Sequence, residues 1–91
     1  MMALVVYDIA DNRRRTRLAK FLEGYGRRVQ ESVFECFLTL AEMRRLHQMV
    51  MGRVNPKEDN VRFYWIAAGA LAQSLTIGSP LPEPAPQAYF L

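Results

Sequence analysis

In the stretch VVYDIADNRRRTRL, residues 5–18, an apolar run ends in a single acid, Asp8, and the guanidiniums of Arg13, Arg14, Arg15 and Arg17 crowd in soon after. Those residue types suit phosphate chemistry. A carboxylate is a hard oxygen donor for magnesium, which takes one or two carboxylates and fills its shell with water and substrate phosphate. A metal so held polarises a phosphodiester and lowers the pKa of a bound water. Guanidiniums offer forked donors to phosphate oxygens. One carboxylate alone makes a poor magnesium site. A two-fold axis that brings Asp8 of a second copy close supplies the other. The competing reading is structural: a buried salt bridge from Asp8 to Arg14 or Arg15, or a cap on a nearby amide.

A broken local rule favours the chemical reading. The positive end of a helix dipole favours acids in the first turn, by about 0.3–1 kcal/mol each. Here Arg13, Arg14 and Arg15 fill that turn. An anion placed there meets amide donors, the dipole and guanidiniums together. Residues 12–30 also hold Lys20, Arg27 and Arg28, with Glu23 as the lone acid, while the rest of the chain carries five bases and eight acids. The net charge of +3 thus hides a positive field focused on one segment, which attracts polyanions.

Other chemistry-bearing residues read as structural. His47 lies near an apolar helical stripe. Cys36 sits in mid-strand without a partner thiol, and a single cysteine fits a reducing, cytoplasmic setting. Tyr64 and Trp65 suit a core or an interface, and Glu31 and Glu35 a solvated or salt-bridged strand face. The opening MMALVVYDIAD is neither a signal peptide nor a membrane span.

The elements that must position Asp8 follow from periodicity. Residues 3–9 are β-branched and apolar and read as a strand. Asp11 or Asn12 caps a helix whose stripe is Leu18, Phe21, Leu22 and Tyr25, with Gly26 as a left-handed C-cap. Residues 28–38 read as a second strand. Thr39 and Glu42 form a capping box, and Met43, Leu46, Val50 and Val54 line the helix it opens. Residues 61–67 are a third strand, 68–73 one short helical turn, and 74–78 a fourth strand. The order expected is β-α-β-β-α-β, a ferredoxin-like α+β sandwich over residues 1–78 with both helices on one face. Residues 79–91 hold four of the five prolines and end in Tyr89-Phe90-Leu91, a proline-rich arm.

Helices on one face of an antiparallel sheet predict alternating strands. The runs Leu4-Val5-Val6-Tyr7 and Phe63-Tyr64-Trp65-Ile66 are apolar on both faces instead. The economical cover for the second face is another copy, sheet on sheet, so a homodimer is expected. The apolar tip of the arm suits strand addition to that partner.

The stretch YDIADNRRRTRLAKFLEGYGRRVQESVFECFLT resembles the small CRISPR-associated endonuclease family, core spacer-acquisition proteins that act beside the CRISPR integrase. The marks are Tyr7-Asp8 at the end of strand one, Arg15 with Arg17, and Arg28-Val29-Gln30-Glu31-Ser32-Val33-Phe34. The match is strong over residues 4 to about 40, holds in pattern over 41–78, and shows no family signature beyond Gly78. The resemblance implies a ferredoxin-like homodimer with a magnesium ion at Asp8, shared across the two-fold, and phosphodiesterase activity on single-stranded RNA or duplex DNA. It also implies a non-catalytic role, bridging integrase subunits and holding prespacer duplex on the basic surface. Asp8 is then metal ligand and catalytic residue. Arg15, Arg17 and Arg28 carry over as nucleic-acid-binding positions and Tyr7 and Phe34 as site-shaping ones, while Arg13, Arg14 and Arg27 are expected on the nucleic-acid surface from the charge cluster itself. An RNA-recognition module, which shares the fold, needs glycines that VRFYWIA lacks. A small-molecule regulatory domain calls for Gly-rich loops rather than a guanidinium cluster.

Overall fold

The computed structural model describes residues 1–82. Its elements are β1 (Met2–Asp8), α1 (Asn12–Leu22), β2 (Arg27–Gln30), β3 (Val33–Cys36), α2 (Leu40–Met51), β4 (Asn60–Ile66) and a short α3 (Ala68–Leu71). The strands form one antiparallel sheet in the order β2-β3-β1-β4, the ferredoxin-like arrangement expected from the sequence.

Two strands lie elsewhere than the sequence suggests. Residues 28–38 carry a hairpin rather than one strand, because the chain reverses at Glu31-Ser32. No glycine, proline or asparagine marks that turn. Its carbonyls are held from β1 and β2 instead: the Ser32 carbonyl accepts from the Tyr7 amide at 3.1 Å, and the Glu31 carbonyl accepts from Tyr7 Oη and Arg28. Residues 74–78 form no strand. Leu75 and Ile77 are almost fully exposed, Thr76 Oγ1 donates to the Ser79 carbonyl at 2.6 Å, and Gly78 takes a φ of 76°, a left-handed value glycine adopts without strain. The fourth strand of the sheet is β4. The arm from Glu83 onward, with its Tyr89-Phe90-Leu91 tip, lies outside the described residues.

Both caps follow their sequence signals. Asp11 accepts from the Arg14 amide at the start of α1. Thr39 and Glu42 exchange bonds at the start of α2. Gly26 does not act as a left-handed cap. Helix α1 ends at Glu23 in right-handed geometry, and Gly26 packs directly beneath β3, where a Cβ would run into Cys36 and lie 2.5 Å from the Glu35 carbonyl oxygen.

The core lies between helices and sheet. Val5, Tyr7 and Ile9 from β1 and its exit, Phe34 and Cys36 from β3, and Leu18, Leu22, Leu46 and Val50 from the helices are all buried. Full burial of each large apolar side chain contributes roughly 1.5–3 kcal/mol. Val61, Phe63 and Trp65 pack against this cluster from β4. Burial pushes the Cys36 thiol up to about 12, so it remains protonated core filler. The opposite sheet face is mixed rather than uniformly apolar. Leu4, Val6 and Val33 are half-buried there, beside exposed Tyr64 and Arg62 and half-buried Glu35.

Candidate active site

Asp8 is the last residue of β1 and pairs in register with Asn60 of β4. Alternation along the strand turns Tyr7 and, just past its end, Ile9 into the core, and leaves Asp8 exposed. Among the described residues its carboxylate has no ion pair. The structural reading of Asp8 as a partner of Arg14 or Arg15 therefore finds no support, since both arginines are engaged elsewhere.

The arginines divide by partner. Arg14 reaches across to the loop before β4, where Nε and Nη2 meet Asp59 Oδ2 and Oδ1 at 2.8 and 3.1 Å, and Nη2 meets Glu58 Oε1 at 3.0 Å. Arg15 Nη1 donates to the Ile9 carbonyl at 2.7 Å, which fixes the chain immediately after Asp8. Arg13 and Arg17 are exposed, and α1 has no acid in its first turn. Arg28 donates twice to the Glu31 carbonyl, from Nε at 3.0 Å and Nη2 at 2.6 Å, and its guanidinium lies 5.9 Å from the Phe34 ring centre. That contact is within cation–π range. Arg27 lies opposite Glu35 in the hairpin. Burial raises the Glu35 carboxyl and the Arg27 charge opposes it.

Tyr7 and Phe34 stack with ring centres 6.3 Å apart, both buried. They brace the hairpin turn from beneath. Burial raises the Tyr7 hydroxyl, with Arg28 pulling the other way. Arg15, Lys20 and Arg28 together line a cleft of about 330 Å³ between α1 and that turn, with Glu23 and Glu31 on its rim. Asp8, Arg13, Arg14 and Arg27 lie outside this cleft. Of the residues read as structural, His47 stands edge-on to Phe63 at 5.3 Å. Trp65 packs against the core, and Tyr64 accepts a long bond from Arg62 on the open face.

Asp59 is the residue the sequence reading missed. It sits in the polar loop NPKEDN, where nothing distinguishes it from a solvated acid, yet its side chain is fully buried. It accepts from Arg14, from the Asn55 amide at 2.8 Å and from the Ala10 amide at 3.0 Å. The Arg14 hydrogen bond, reinforced by both amides and opposed by burial, holds the carboxyl at about 2, below its ordinary value of 3.8. A depressed carboxyl stabilises the fold fully above its unfolded value and loses that contribution as pH falls through the folded one. Thermal denaturation should therefore show about 1–2 kcal/mol of stability vanishing between roughly pH 4 and pH 2. Asp59→Asn should flatten that acid limb, and an equally steep limb in the variant would exclude Asp59 as its source.

No group of three or more His, Cys, Asp or Glu suited to a metal occurs among the described residues. Asp8 is the exposed carboxylate at the strand end itself, opposite Asn60 of β4. No helix among the described residues is long and apolar enough to cross a membrane.

A family model described as CRISPR associated protein Cas2 matches residues 1–73. A protein of Chloroflexus aurantiacus named CRISPR-associated endoribonuclease Cas2 1 is 42% identical over 93 residues, spanning the whole of both chains. The crystal structure of Streptococcus pyogenes Cas2 at pH 6.5 superposes with a TM-score of 0.72 at 35% identity, covering 86% of this chain and 100% of that one. A chain from a partial Cas6-RT-Cas1–Cas2 complex superposes with a TM-score of 0.70 at 32% identity, covering 96% of this chain and 98% of that one.

Proposed function

This chain belongs to the CRISPR-associated protein Cas2 family, and on that premise we propose that it is a magnesium-dependent endonuclease of the CRISPR adaptation system. It hydrolyses phosphodiester bonds of RNA or DNA as a homodimer. The observation that carries this reading is Asp8: an exposed carboxylate at a strand end, without an ion pair among the described residues, next to a helix whose first turn holds three arginines and no acid. Relatives named endoribonucleases support the activity. The half-buried Leu4, Val6 and Val33 on the open sheet face support a second copy packed there, which supplies a second Asp8. Asp8 and its mate from the second copy would hold the magnesium, which when bound would supply charge to polarise the phosphodiester and acidify a water. The chain's own contribution is to hold Asp8 in place and to bind phosphate through Arg13, Arg15, Arg17, Arg27 and Arg28. Tyr7 and Phe34 keep the hairpin turn in position. The partners are a second copy, the CRISPR integrase and nucleic acid, and the setting is the cytoplasm.

A second reading is a non-catalytic dimer that bridges integrase subunits and holds prespacer duplex DNA. It is favoured by the match to a chain solved in a partial Cas6-RT-Cas1–Cas2 complex. Cleavage assays on single-stranded RNA and on duplex DNA, with magnesium or with chelator, separate the two. Chelator-sensitive cleavage by a dimer sustains the nuclease. Spacer integration without cleavage sustains the adaptor.

The division among the arginines gives a quantitative test. Arg17→Ala removes an exposed guanidinium, and should lower the slope of log affinity against log salt by about 0.9 on duplex DNA, at any sequence. Arg14→Ala should leave that slope unchanged, since Asp59 and Glu58 hold its guanidinium. An unchanged slope in Arg17→Ala removes that residue from the phosphate contacts.

A further inference from the structure

We infer that Asp59 is a positioning residue for Asp8. Asp59 directly precedes Asn60, the register partner of Asp8 across β1 and β4. Its Oδ1 accepts from the amide of Ala10, two residues beyond Asp8. Its Oδ2 accepts from the Asn55 amide, which closes the loop that Asp59 ends. Arg14, in the first turn of α1, bridges both oxygens. One buried carboxylate therefore ties together the strand beside Asp8, the loop leaving it and the helix that follows. Between Asp8 and Ala10, Ile9 is buried and its carbonyl is held by Arg15. The backbone on both sides of Asp8 is fixed while its side chain stays open to solvent, an arrangement that sets where the carboxylate points without touching substrate. All four donors to Asp59 are accounted for, and no buried side-chain polar atom among the described residues lacks a partner.

This inference rests on the reading of Asp8 as the reactive carboxylate, and the experiment separates the two. Asp59→Asn keeps the shape but replaces one oxygen with an NH₂ that faces an N–H donor, so at least one bond is lost. At a temperature where circular dichroism shows the variant folded, kcat should fall about tenfold or more with KM within about twofold, the pattern of a displaced reacting group. Hydrogen exchange at the Ala10 amide should quicken at least tenfold, and the Asp8 backbone resonances should shift. Should Asp59→Asn fail to fold, Arg14→Gln carries the test, with a smaller loss in kcat and faster exchange at Ala10. Faster exchange with unchanged kcat overturns the inference, as does a kcat that merely tracks the folded fraction. Asp8→Ala runs in parallel. If it cleaves as well as wild type, the reading of Asp8 fails. The clamp is then judged by Ala10 exchange and the Asp8 resonances alone, and is overturned if neither moves.

Discussion

Asp8→Ala should lower magnesium-dependent cleavage by roughly a thousandfold or more, about 4 kcal/mol of transition-state stabilisation, while leaving the melting temperature nearly unchanged. The two halves of this expectation have separate physical origins. Asp8 is exposed and carries no ion pair among the described residues, so its side chain contributes little to folding, within about 0.5 kcal/mol for such surface sites. As the carboxylate proposed to hold the metal, it should contribute mainly to the chemical step. Binding of duplex DNA should persist, because the guanidiniums remain. Cleavage at the wild-type rate would remove Asp8 from the site. A large fall in melting temperature would place it among the structural acids with Asp59.

Gly26→Ala should be the most damaging small substitution in the fold. A methyl group there collides with Cys36 and with the Glu35 carbonyl oxygen, and the latter is backbone of a paired strand that cannot turn aside. Overpacking of this kind costs about 2–3 kcal/mol, which for a domain of this size lowers the melting temperature by roughly 10–20 °C. Gly69 in α3 is the control. A Cβ there meets nothing within 4 Å, and alanine should be neutral or stabilise by up to about 1 kcal/mol. Equal melting temperatures for both variants would show that β3 yields where the packing says it is fixed.

Local signals made the outline of this fold readable. The Asp11 cap, the Thr39–Glu42 box and the stripe of Leu46 and Val50 act within a few residues of themselves, so their sequence pattern and their structure coincide. The failures share a non-local cause. The turn at Glu31-Ser32 is specified by Tyr7 and Arg28 rather than by turn residues. Residues 74–78 have strand-like side chains yet pair with no strand among the described residues. Gly26 is required by the approach of β3, not by its own φ. At the site, alternation along β1 separates Asp8 from Tyr7 and Ile9 in the structure, but its exposure is not itself an expectation of the sequence. Nor is the commitment of Arg14, because its partner Asp59 lies 45 residues away in a loop that reads as solvent.

The central strand β1 takes its neighbours from very different stretches of chain. β3 ends at Cys36, whereas β4 begins at Asn60. At ordinary rates of synthesis the intervening segment takes roughly 1–5 s to emerge. A chain that folds as it emerges would have β1 paired on one side only during that interval, with a row of its backbone amides and carbonyls unpaired. The newborn protein is most exposed to ribosome-associated chaperones, and to a neighbouring nascent copy on the same message, in the seconds before β4 arrives.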